Sequence, residues 1–468
     1  MTPDEFRKNG HALIDLIADY RSTLESRPVR SQSDVGELLD WLPANPPADA
    51  EDPGQLLDEI QSRVVPAMTH WQHPSFFAYF PANADLSSVL GDLASSGFGQ
   101  LGLNWQSSPP LTEFEDRMCD WMRQLLGLSE QWHGVIQDTA STSTLVALLC
   151  AREKVTDFAQ MRDGLRNEPE LVVYSSSQGH SSIVKAALLA GFGKNQLRSC
   201  TVDENFAVDL ADLRRQIEED IANNLKPCAI VGCTGTTATT AMDDIAGLAD
   251  LAEEFGCWLH VDGAMAGSAM ILPEMRSLWS GVERADSVVF NPHKWLGVVF
   301  DCSIYYVRDE QHLIRVMSTN PSYLQTAADG EAPNYRDWGI PLGRRFRAMK
   351  LWWLLRCEGA TGLQNRLRRD IDNAKWLEQQ IISHADWHLV APVALQTLCV
   401  IHRPPSVPAT ELDDYTQAWC ESINASGKAM LTPAVVDGQW IVRISIGVIA
   451  TERHHVEQLW QTMLDHTS

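Results

Sequence analysis

The sequence predicts an α/β protein whose central sheet is mostly parallel, with a helical segment before it and a small α+β domain after it. The main observation is that short apolar, β-branched runs alternate with amphipathic helical segments from about residue 86 to residue 356. Such alternation is typical of a parallel sheet covered by helices on both faces. Helical patterns precede this region, and helices mixed with strands of alternating polarity follow it. The predicted domains are therefore residues 1–85, 86–356 and 357–468.

The N-terminal segment starts with a predicted helix. Thr2, Pro3 and Glu5 give a capping box with proline in the first turn. Apolar residues then recur at helical spacing, at Leu13, Leu16, Ile17, Tyr20 and Leu24. Residues 28–53 are rich in proline and acidic residues, which predicts irregular structure, and a second helical pattern follows them. Because these residues are too few to close a core, we expect them to pack on a second subunit.

Apolar runs separated by helical patterns predict the strands of the central domain. The runs are residues 171–174, 229–231, 258–261, 287–290 and 303–307. Two later segments, residues 343–356 and 365–385, are predicted to be separate helices. The central sheet should therefore be covered by helices before the chain enters its last domain.

The composition limits the kind of protein this is. With 468 residues, 44% of them apolar and 21% charged, and no apolar run near the roughly 18 residues of a membrane span, the chain is expected to be soluble. Its acidic N-terminus does not resemble a signal peptide, so we expect a cytoplasmic location. The net charge of −24 argues against binding to nucleic acid or anionic membranes. Ten scattered cysteines without metal-ligand spacing are expected to be reduced and mostly buried, and no metal site is predicted.

Lys294 and Asp262 are the central candidates for chemistry. Lys294 follows the strand-like run 287–290, and Asp262 ends the run 258–261, so both should lie at the carboxyl edge of the sheet, where open α/β sheets bind ligands. Taken separately, the first resembles a surface lysine beside a histidine and the second a turn residue. Together they are the pair that a cofactor with an aldehyde and a pyridine nitrogen requires.

Further candidates are predicted at the same edge. Residues 137–144 place hydroxyl groups and free amides at the start of a helix, where a phosphate can bind, although an ordinary helix cap has the same pattern. Asn291 and His293 can add donors to that phosphate. His180 lies between a strand and a helix, where its imidazole can stack on a cofactor ring and bind a substrate carboxylate, although a lone histidine is more often structural.

Taken together, several motifs resemble those of the pyridoxal-5′-phosphate-dependent group II decarboxylases, most closely the aromatic-L-amino-acid decarboxylases of bacteria and animals. The resemblance runs from Phe6 to about Trp460. The most specific motifs are His73-Pro74-Ser75-Phe76-Phe77-Ala78-Tyr79-Phe80-Pro81, Thr139-Ala140-Ser141, the segment 174–182, Gly235-Thr236-Thr237, His260-Val261-Asp262, Asn291-Pro292-His293-Lys294-Trp295 and the segment 338–345.

This resemblance implies a fold, a cofactor and an assembly. The fold is the aspartate-aminotransferase-like (type I) fold of pyridoxal-phosphate-dependent transferases, in a homodimer with active sites at the subunit interface and N-terminal helices that clasp the partner. Lys294 would carry pyridoxal 5′-phosphate covalently and Asp262 would pair with its ring nitrogen. His180 would stack on one ring face and Ala264 would contact the other. Ala140, Ser141, Asn291 and His293 would form the phosphate site, and Thr237 would lie near cofactor and substrate.

The resemblance also implies a mobile loop over roughly residues 319–338. Residues 325–334 are small and polar, with no apolar face to fix them, so we expect disorder without a ligand. Tyr335 resembles the tyrosine that reaches across from the neighbouring subunit and protonates the substrate carbon after carbon dioxide leaves. Related aldehyde synthases carry phenylalanine at that position.

The predicted substrate is an aromatic L-amino acid: DOPA, tyrosine, phenylalanine, tryptophan or 5-hydroxytryptophan. The residues that match pocket positions of the family are apolar or aromatic, although core packing explains such residues equally well. They are Trp71, Tyr79, Phe80, Pro81, Leu101 and Leu103. The chain departs from the family at Gly263, Met265, Ala82 and Asn83, which can alter the pocket's shape.

Three alternatives remain open from the sequence. The first is a decarboxylase of histidine, methionine or a glutamate-like acid, although an acidic substrate needs a cation that those pocket residues lack. The second is an aldehyde-forming oxidative deaminase, which is expected to lack Tyr335. The third is a non-catalytic cofactor-binding homologue, and the full set of catalytic candidates argues against it.

Overall fold

The central sheet has seven strands in the order β1-β7-β6-β5-β4-β2-β3. The computed structural model describes residues 1–164, 169–319 and 330–467. Its strands are β1 (His133–Gln137), β2 (Leu171–Ser176), β3 (Leu197–Cys200), β4 (Lys226–Cys233), β5 (Trp258–Asp262), β6 (Ser287–Phe290), β7 (Ser303–Val307), β8 (Trp387–Leu389), β9 (Thr397–His402), β10 (Thr432–Val436) and β11 (Gln439–Ser445). Strands β2 to β6 pair in parallel, and β7 is antiparallel to both β1 and β6. The predicted mostly parallel sheet is confirmed.

The helices alternate with these strands along the central part of the chain. They are α1 (Pro3–Ser22), α2 (Glu37–Trp41), α3 (Pro53–Glu59), α4 (Leu86–Gly97), α5 (Pro109–Leu126), α6 (Ala140–Val155), α7 (Ala159–Asp163), α8 (Ser181–Leu189), α9 (Leu210–Ala222), α10 (Ile245–Phe255), α11 (Glu310–Met317), α12 (Ala348–Ile382), α13 (Leu412–Ala425) and α14 (Arg453–Asp465). Helix α1 has the capping box that Thr2 and Glu5 predicted.

Helices cover both faces of the central sheet. Neighbouring residues of a strand point to opposite faces, and β4 shows what each face meets. Val231 belongs to one buried cluster with Val146 and Ala147 of α6. A Cβ at the next residue, Gly232, would lie 2.5 Å from Leu248 of α10. All residues of β2, β5, β6 and β7 are buried, which explains why these strands are continuous runs in the sequence.

The direction of the strands gathers their carboxyl ends at one edge. Because β7 is antiparallel to both of its neighbours, β1 runs in the same direction as β6. The segments that follow β1, β2, β4, β5 and β6 therefore all begin at the same edge of the sheet. These segments contain the candidate residues of the cofactor site.

By their contacts, the residues form two compact units. The larger unit comprises Ala82–Lys375 and Leu389–Cys399, and the smaller unit comprises Met1–Pro81, Trp376–His388 and Val400–Ser468. This division differs from the predicted domains, because residues 1–81 group with the C-terminal residues. The reason is backbone pairing within the smaller unit: Val29 donates to Gly427, Phe77 donates to Met430, and Ser445 donates to Phe77.

A second sheet has the strand order β10-β11-β9-β8. In the smaller unit, no residue of α1 is buried, and Phe6, Leu13 and Ile14 of this helix are exposed.

All ten cysteines are free thiols, and nine are buried, as the sequence predicted; Cys357 is exposed. Among the described residues, no helix combines the length and the apolar character needed to cross a membrane.

Candidate active site

Lys294 lies in a single helical turn, Pro292–Leu296, directly after β6. Its backbone angles, φ −97° and ψ −110°, are not helical. The Lys294 N–H donates to the Asn291 carbonyl at 2.9 Å, and the Asn83 side-chain amide donates to the Lys294 carbonyl at 3.2 Å. The lysine is half-buried. The structure thus places Lys294 at the sheet edge where the sequence predicted it, with its backbone held on both sides.

Asp262 is the last residue of β5 and is buried. Its Oδ1 accepts a hydrogen bond from the Ala264 N–H at 3.0 Å, and the Ala264 carbonyl accepts one from the Asn291 N–H at 2.9 Å. This chain of bonds connects the ends of β5 and β6. The other carboxylate oxygen of Asp262 has no hydrogen-bond donor within the part of the chain that the structure describes. A buried carboxylate in this state is suited to a cationic partner.

His180 follows β2 and caps the start of α8. Its Nδ1 accepts hydrogen bonds from the Ser182 N–H at 3.1 Å and the Ser182 hydroxyl at 2.7 Å, so the neutral ring carries its proton on Nε2. Desolvation by the surrounding protein lowers the pKa of His180; the Asp262 charge opposes this shift and the Lys294 charge adds to it. His180 follows β2, Asp262 ends β5 and Lys294 follows β6, so the three residues lie at the same edge of the sheet.

The start of α6 offers donors for an anion. The helix begins at Ala140, and Thr139 at its cap makes no side-chain capping bond. The first amides of a helix have no partner within the helix, and here the earliest return bond runs from Ser143 to Thr139. Ser141 is exposed in this first turn. The backbone of Ala140 and Ser141 therefore has the arrangement that binds phosphate at helix starts.

Asn291 and His293 flank the lysine, and both are buried. The side-chain oxygen of Asn291 has no hydrogen-bond partner among the described residues. His293 Nδ1 accepts from the Cys302 N–H at 2.9 Å. Burial, followed by the nearby Lys294 charge, lowers the pKa of His293 to about 3, so its ring is neutral and carries a proton on Nε2. The unsatisfied Asn291 oxygen and this N–H are polar groups suited to a polar ligand.

Thr237 follows β4 and is exposed. Its loop is fixed by neighbouring residues, because Thr236 Oγ1 bonds to Thr239 Oγ1 at 2.9 Å and to the Ala241 N–H at 3.0 Å. Gly235 has φ +80°, and a Cβ there would lie 2.6 Å from Ala266. Only glycine fits this turn, which explains the Gly-Thr-Thr motif in physical terms.

Tyr335 is the predicted proton donor. It is buried in the core of the larger unit, with its ring 5.4 Å from Trp338 and its hydroxyl 3.5 Å from Asp116. Of the predicted mobile loop, residues 320–329 lie outside the described residues. That segment contains a second tyrosine, Tyr323, so the predicted loop has two candidates for the proton donor.

The predicted pocket residues divide between the two units. Trp71, Tyr79, Phe80 and Pro81 belong to the smaller unit, and Leu101 and Leu103 belong to the larger unit. The Trp71 and Tyr79 rings stack with centroids 5.5 Å apart.

Arg443 was missed in the sequence. Its guanidinium group lies 4.7 Å from the centre of the Phe80 ring. The sequence feature that could have identified it is a single positively charged residue within the apolar strand β11.

Two of the family departures have structural roles that the sequence did not suggest. Asn83 supports the backbone of Lys294, as described above. Met265 is buried, and its sulfur accepts a hydrogen bond from the Gln396 amide at 3.3 Å. Both contacts join residues far apart in the sequence, so neither leaves a local pattern.

Pyridoxal 5′-phosphate fits this set of residues. Lys294 supplies a primary amine, Asp262 supplies a buried carboxylate with one oxygen lacking a described donor, and the start of α6 supplies free amides. A half-buried lysine, a buried carboxylate and an anion-binding helix start at one edge of a mostly parallel sheet define the pyridoxal-phosphate class of enzymes.

Comparison with known proteins gives the particular family. Residues 36–402 match the pyridoxal-dependent decarboxylase conserved domain, and the chain belongs to this family. A phenylacetaldehyde synthase of Arabidopsis thaliana is 38% identical over 100% of the chain and 97% of that protein. A tyrosine decarboxylase of Papaver somniferum is 36% identical, over 100% and 95%. The crystal structure of Oryza sativa TDC with PLP and tryptamine superposes with a TM-score of 0.96 at 35% identity, over 100% of this chain and 98% of that one.

Proposed function

We propose that this protein is a pyridoxal-phosphate-dependent decarboxylase that converts an aromatic L-amino acid into the corresponding amine and carbon dioxide. The observation that carries the proposal is that the buried Asp262 at the end of β5 and Lys294 just after β6 lie on neighbouring strand ends, which the Asp262–Ala264 and Ala264–Asn291 hydrogen bonds connect. An amine, a carboxylate and a neutral imidazole in one region provide attachment, charge stabilisation and substrate binding.

Each residue has a distinct task in this proposal. When bound, pyridoxal 5′-phosphate supplies an electron-accepting ring for the electron pair that carbon dioxide leaves behind. Lys294 supplies the amine that holds the aldehyde. Asp262 keeps the ring nitrogen protonated, because a buried carboxylate favours a positive charge beside it. The Nε2–H of His180 can donate a hydrogen bond to a substrate carboxylate.

The aromatic substrate class is supported by two observations. Relatives that match across the whole chain are named for tyrosine decarboxylation, and the superposed Oryza sativa structure holds tryptamine. The residues at the predicted pocket positions are also apolar or aromatic. The contact between Arg443 and Phe80 keeps an acidic substrate as an alternative, because it puts a cation beside one of those residues.

An aldehyde-forming reaction is the second candidate. It is favoured by a 38% identical relative named phenylacetaldehyde synthase. By the resemblance described above, aldehyde synthases carry phenylalanine where decarboxylases carry the loop tyrosine. This chain has tyrosine at both 323 and 335, so it has the decarboxylase residue whichever position is the equivalent one.

A product screen tests the proposal. The reconstituted enzyme is incubated with phenylalanine, tyrosine, DOPA, tryptophan, 5-hydroxytryptophan, histidine, methionine and glutamate, and amine, carbon dioxide, ammonia and peroxide are measured. We expect one amine per carbon dioxide from at least one aromatic substrate, without peroxide. Stoichiometric peroxide and ammonia would establish the aldehyde synthase, and turnover of glutamate alone would assign the acidic class.

The two tyrosines can be separated by mutation. Because the Tyr335 hydroxyl is buried beside Asp116, we expect Tyr335→Phe to keep the wild-type product ratio. We expect Tyr323→Phe to reduce amine formation by about 100-fold or more, as loss of a general acid does, and to release aldehyde and peroxide. The measurement is the amine-to-peroxide ratio of each variant. The opposite pattern would assign the proton-donor role to Tyr335, as the resemblance implies.

A homodimer in the cytoplasm is part of the same proposal. Exposed apolar side chains support a subunit interface: Phe6 and Ile14 on α1, and Leu86, Leu90 and Leu93 on α4. These side chains would be covered by a second copy of the chain.

A further inference from the structure

Helix α12 holds the turn that carries Lys294 through a buried hydrogen bond. Trp295, the residue after the lysine, is fully buried, and its indole N–H donates to Asp370 Oδ2 at 2.9 Å. Asp370 is itself fully buried. The bond fixes the side chain next to Lys294 to a residue that is remote in sequence.

A second contact comes from the same face of α12, one helical turn earlier. The Arg366 guanidinium donates a hydrogen bond to the Leu296 carbonyl. Residues four apart share one helix face, so Arg366 and Asp370 act on the same side. Gly297, the next residue, has φ +103°, and a Cβ there would lie 2.8 Å from an Arg366 nitrogen. The arginine therefore lies directly against the backbone of the turn.

These contacts converge on the turn that contains Lys294, whose φ of −97° and ψ of −110° are not helical. The Asn291 carbonyl and the Asn83 amide hold Lys294 itself, and Asp370 and Arg366 hold the two residues after it.

The charges in this contact are costly to bury. Burial raises the pKa of Asp370 to about 6, and the neighbouring Arg369 and the Trp295 hydrogen bond act in the opposite direction. Burial likewise lowers the pKa of Arg366. Apolar residues of similar size often replace buried charges without loss of stability. Stability alone therefore does not explain why Asp370 and Arg366 are charged. A role in placing the Lys294 turn does explain it.

We propose that Asp370 and Arg366 are positioning residues, which hold the Trp295 indole and the Leu296 carbonyl and thereby aim the Lys294 amine at the cofactor aldehyde. This inference rests on the proposed role of Lys294. If the inference holds, two residues of α12 outside the cofactor site contribute to cofactor binding.

The test compares cofactor binding by apoprotein variants. We expect Asp370→Ala to raise the apparent Kd for pyridoxal 5′-phosphate about tenfold, as loss of a supporting residue does, and Arg366→Ala to act in the same direction. Asp370→Asn, which keeps an oxygen for the Trp295 N–H, should recover most of the affinity. The matched control is Arg368→Ala on the same helix, whose ion pair with Glu274 is solvent-exposed, and it should bind as wild type. Binding is followed by tryptophan fluorescence well below the melting temperature of each variant.

Kinetics separate positioning from simple stability. We expect Asp370→Ala to lower kcat by about 100-fold with little change in KM, because a small misplacement of a reacting group has this effect. A lower melting temperature with unchanged Kd and kcat would overturn the proposal. If Asp370→Ala does not fold, Trp295→Phe, which removes the same hydrogen bond, decides by the same readouts. If wild type itself shows no covalent attachment at Lys294, the role proposed for the lysine fails instead.

Discussion

Replacing Lys294 by alanine should abolish the visible absorbance band of the cofactor-loaded protein and reduce decarboxylation by about a thousandfold or more. Among the described residues of this site, the Lys294 side chain supplies the primary amine that can bind an aldehyde covalently. Removal of the group that forms the covalent bond has the largest effect on the rates of covalent catalysts. The measurements are the absorbance spectrum after reconstitution and the initial rate of amine formation.

A control for this variant is available on α8. Lys185 is an exposed lysine, five residues after His180, and Lys185→Ala should keep both the band and the rate. A band that survives in Lys294→Ala would show that another lysine carries the cofactor. A wild-type protein that stays colourless with added cofactor would refute the proposed function as a whole.

Asp262→Asn should reduce turnover by at least about 100-fold while the cofactor remains covalently bound. The amide can still accept the Ala264 hydrogen bond at 3.0 Å in the wild type, but it carries no charge to keep the ring nitrogen protonated. Rates of amine formation and the absorbance of the bound cofactor measure the two effects. Asp250→Asn, which removes a carboxylate paired with Arg284 on the surface, should have near-normal turnover.

The same variant should affect stability in the opposite direction. In the apoprotein, Asp262 is a buried carboxylate without a described cationic hydrogen-bond donor, and such a group costs free energy. We therefore expect apo Asp262→Asn to melt at the same temperature as wild type or higher. Near-normal turnover in Asp262→Asn would remove the carboxylate from the site, and a large loss of apoprotein stability would assign it a structural task.

The sheet was predictable because its strands are buried on both faces. Strands β2, β4, β5, β6 and β7 all contain the apolar runs identified in the sequence. Strand β3 was missed because it is a partly exposed edge strand, Leu-Arg-Ser-Cys, with no apolar alternation. Strand β1, His-Gly-Val-Ile-Gln, was missed because it begins and ends with polar residues and has only two consecutive apolar, β-branched residues.

The two helices predicted at residues 343–356 and 365–385 correspond to the two parts of α12, which Gly359 separates with non-helical angles, φ +64° and ψ 166°. The small domain shows a further limit of local patterns. The grouping of residues 1–81 with the C-terminal part depends on backbone bonds between segments hundreds of residues apart, and these leave no periodic signal.

In the candidate site, the sequence predicted the residues at the strand ends, but not the residues that support the lysine turn from distant segments. Lys294, His180 and the start of α6 each follow a strand and Asp262 ends one, so the rule that ligands bind at carboxyl ends predicted them at one edge. Asn83, Arg366 and Asp370 reach the lysine turn from segments outside those strand ends. The role of Tyr335 comes from the resemblance alone, and its side chain is buried beside Trp338.

The hydrogen bond from Asn83 to the Lys294 carbonyl matters for anyone redesigning the enzyme's substrate range. By sequence comparison, position 83 belongs with the pocket-lining residues and would be included in a library aimed at new amines. Its side chain instead holds the main chain of the lysine. Substitutions at position 83 would therefore alter the placement of the lysine as well as the pocket. Changes in substrate selectivity are better sought at side chains that do not contact the Lys294 turn.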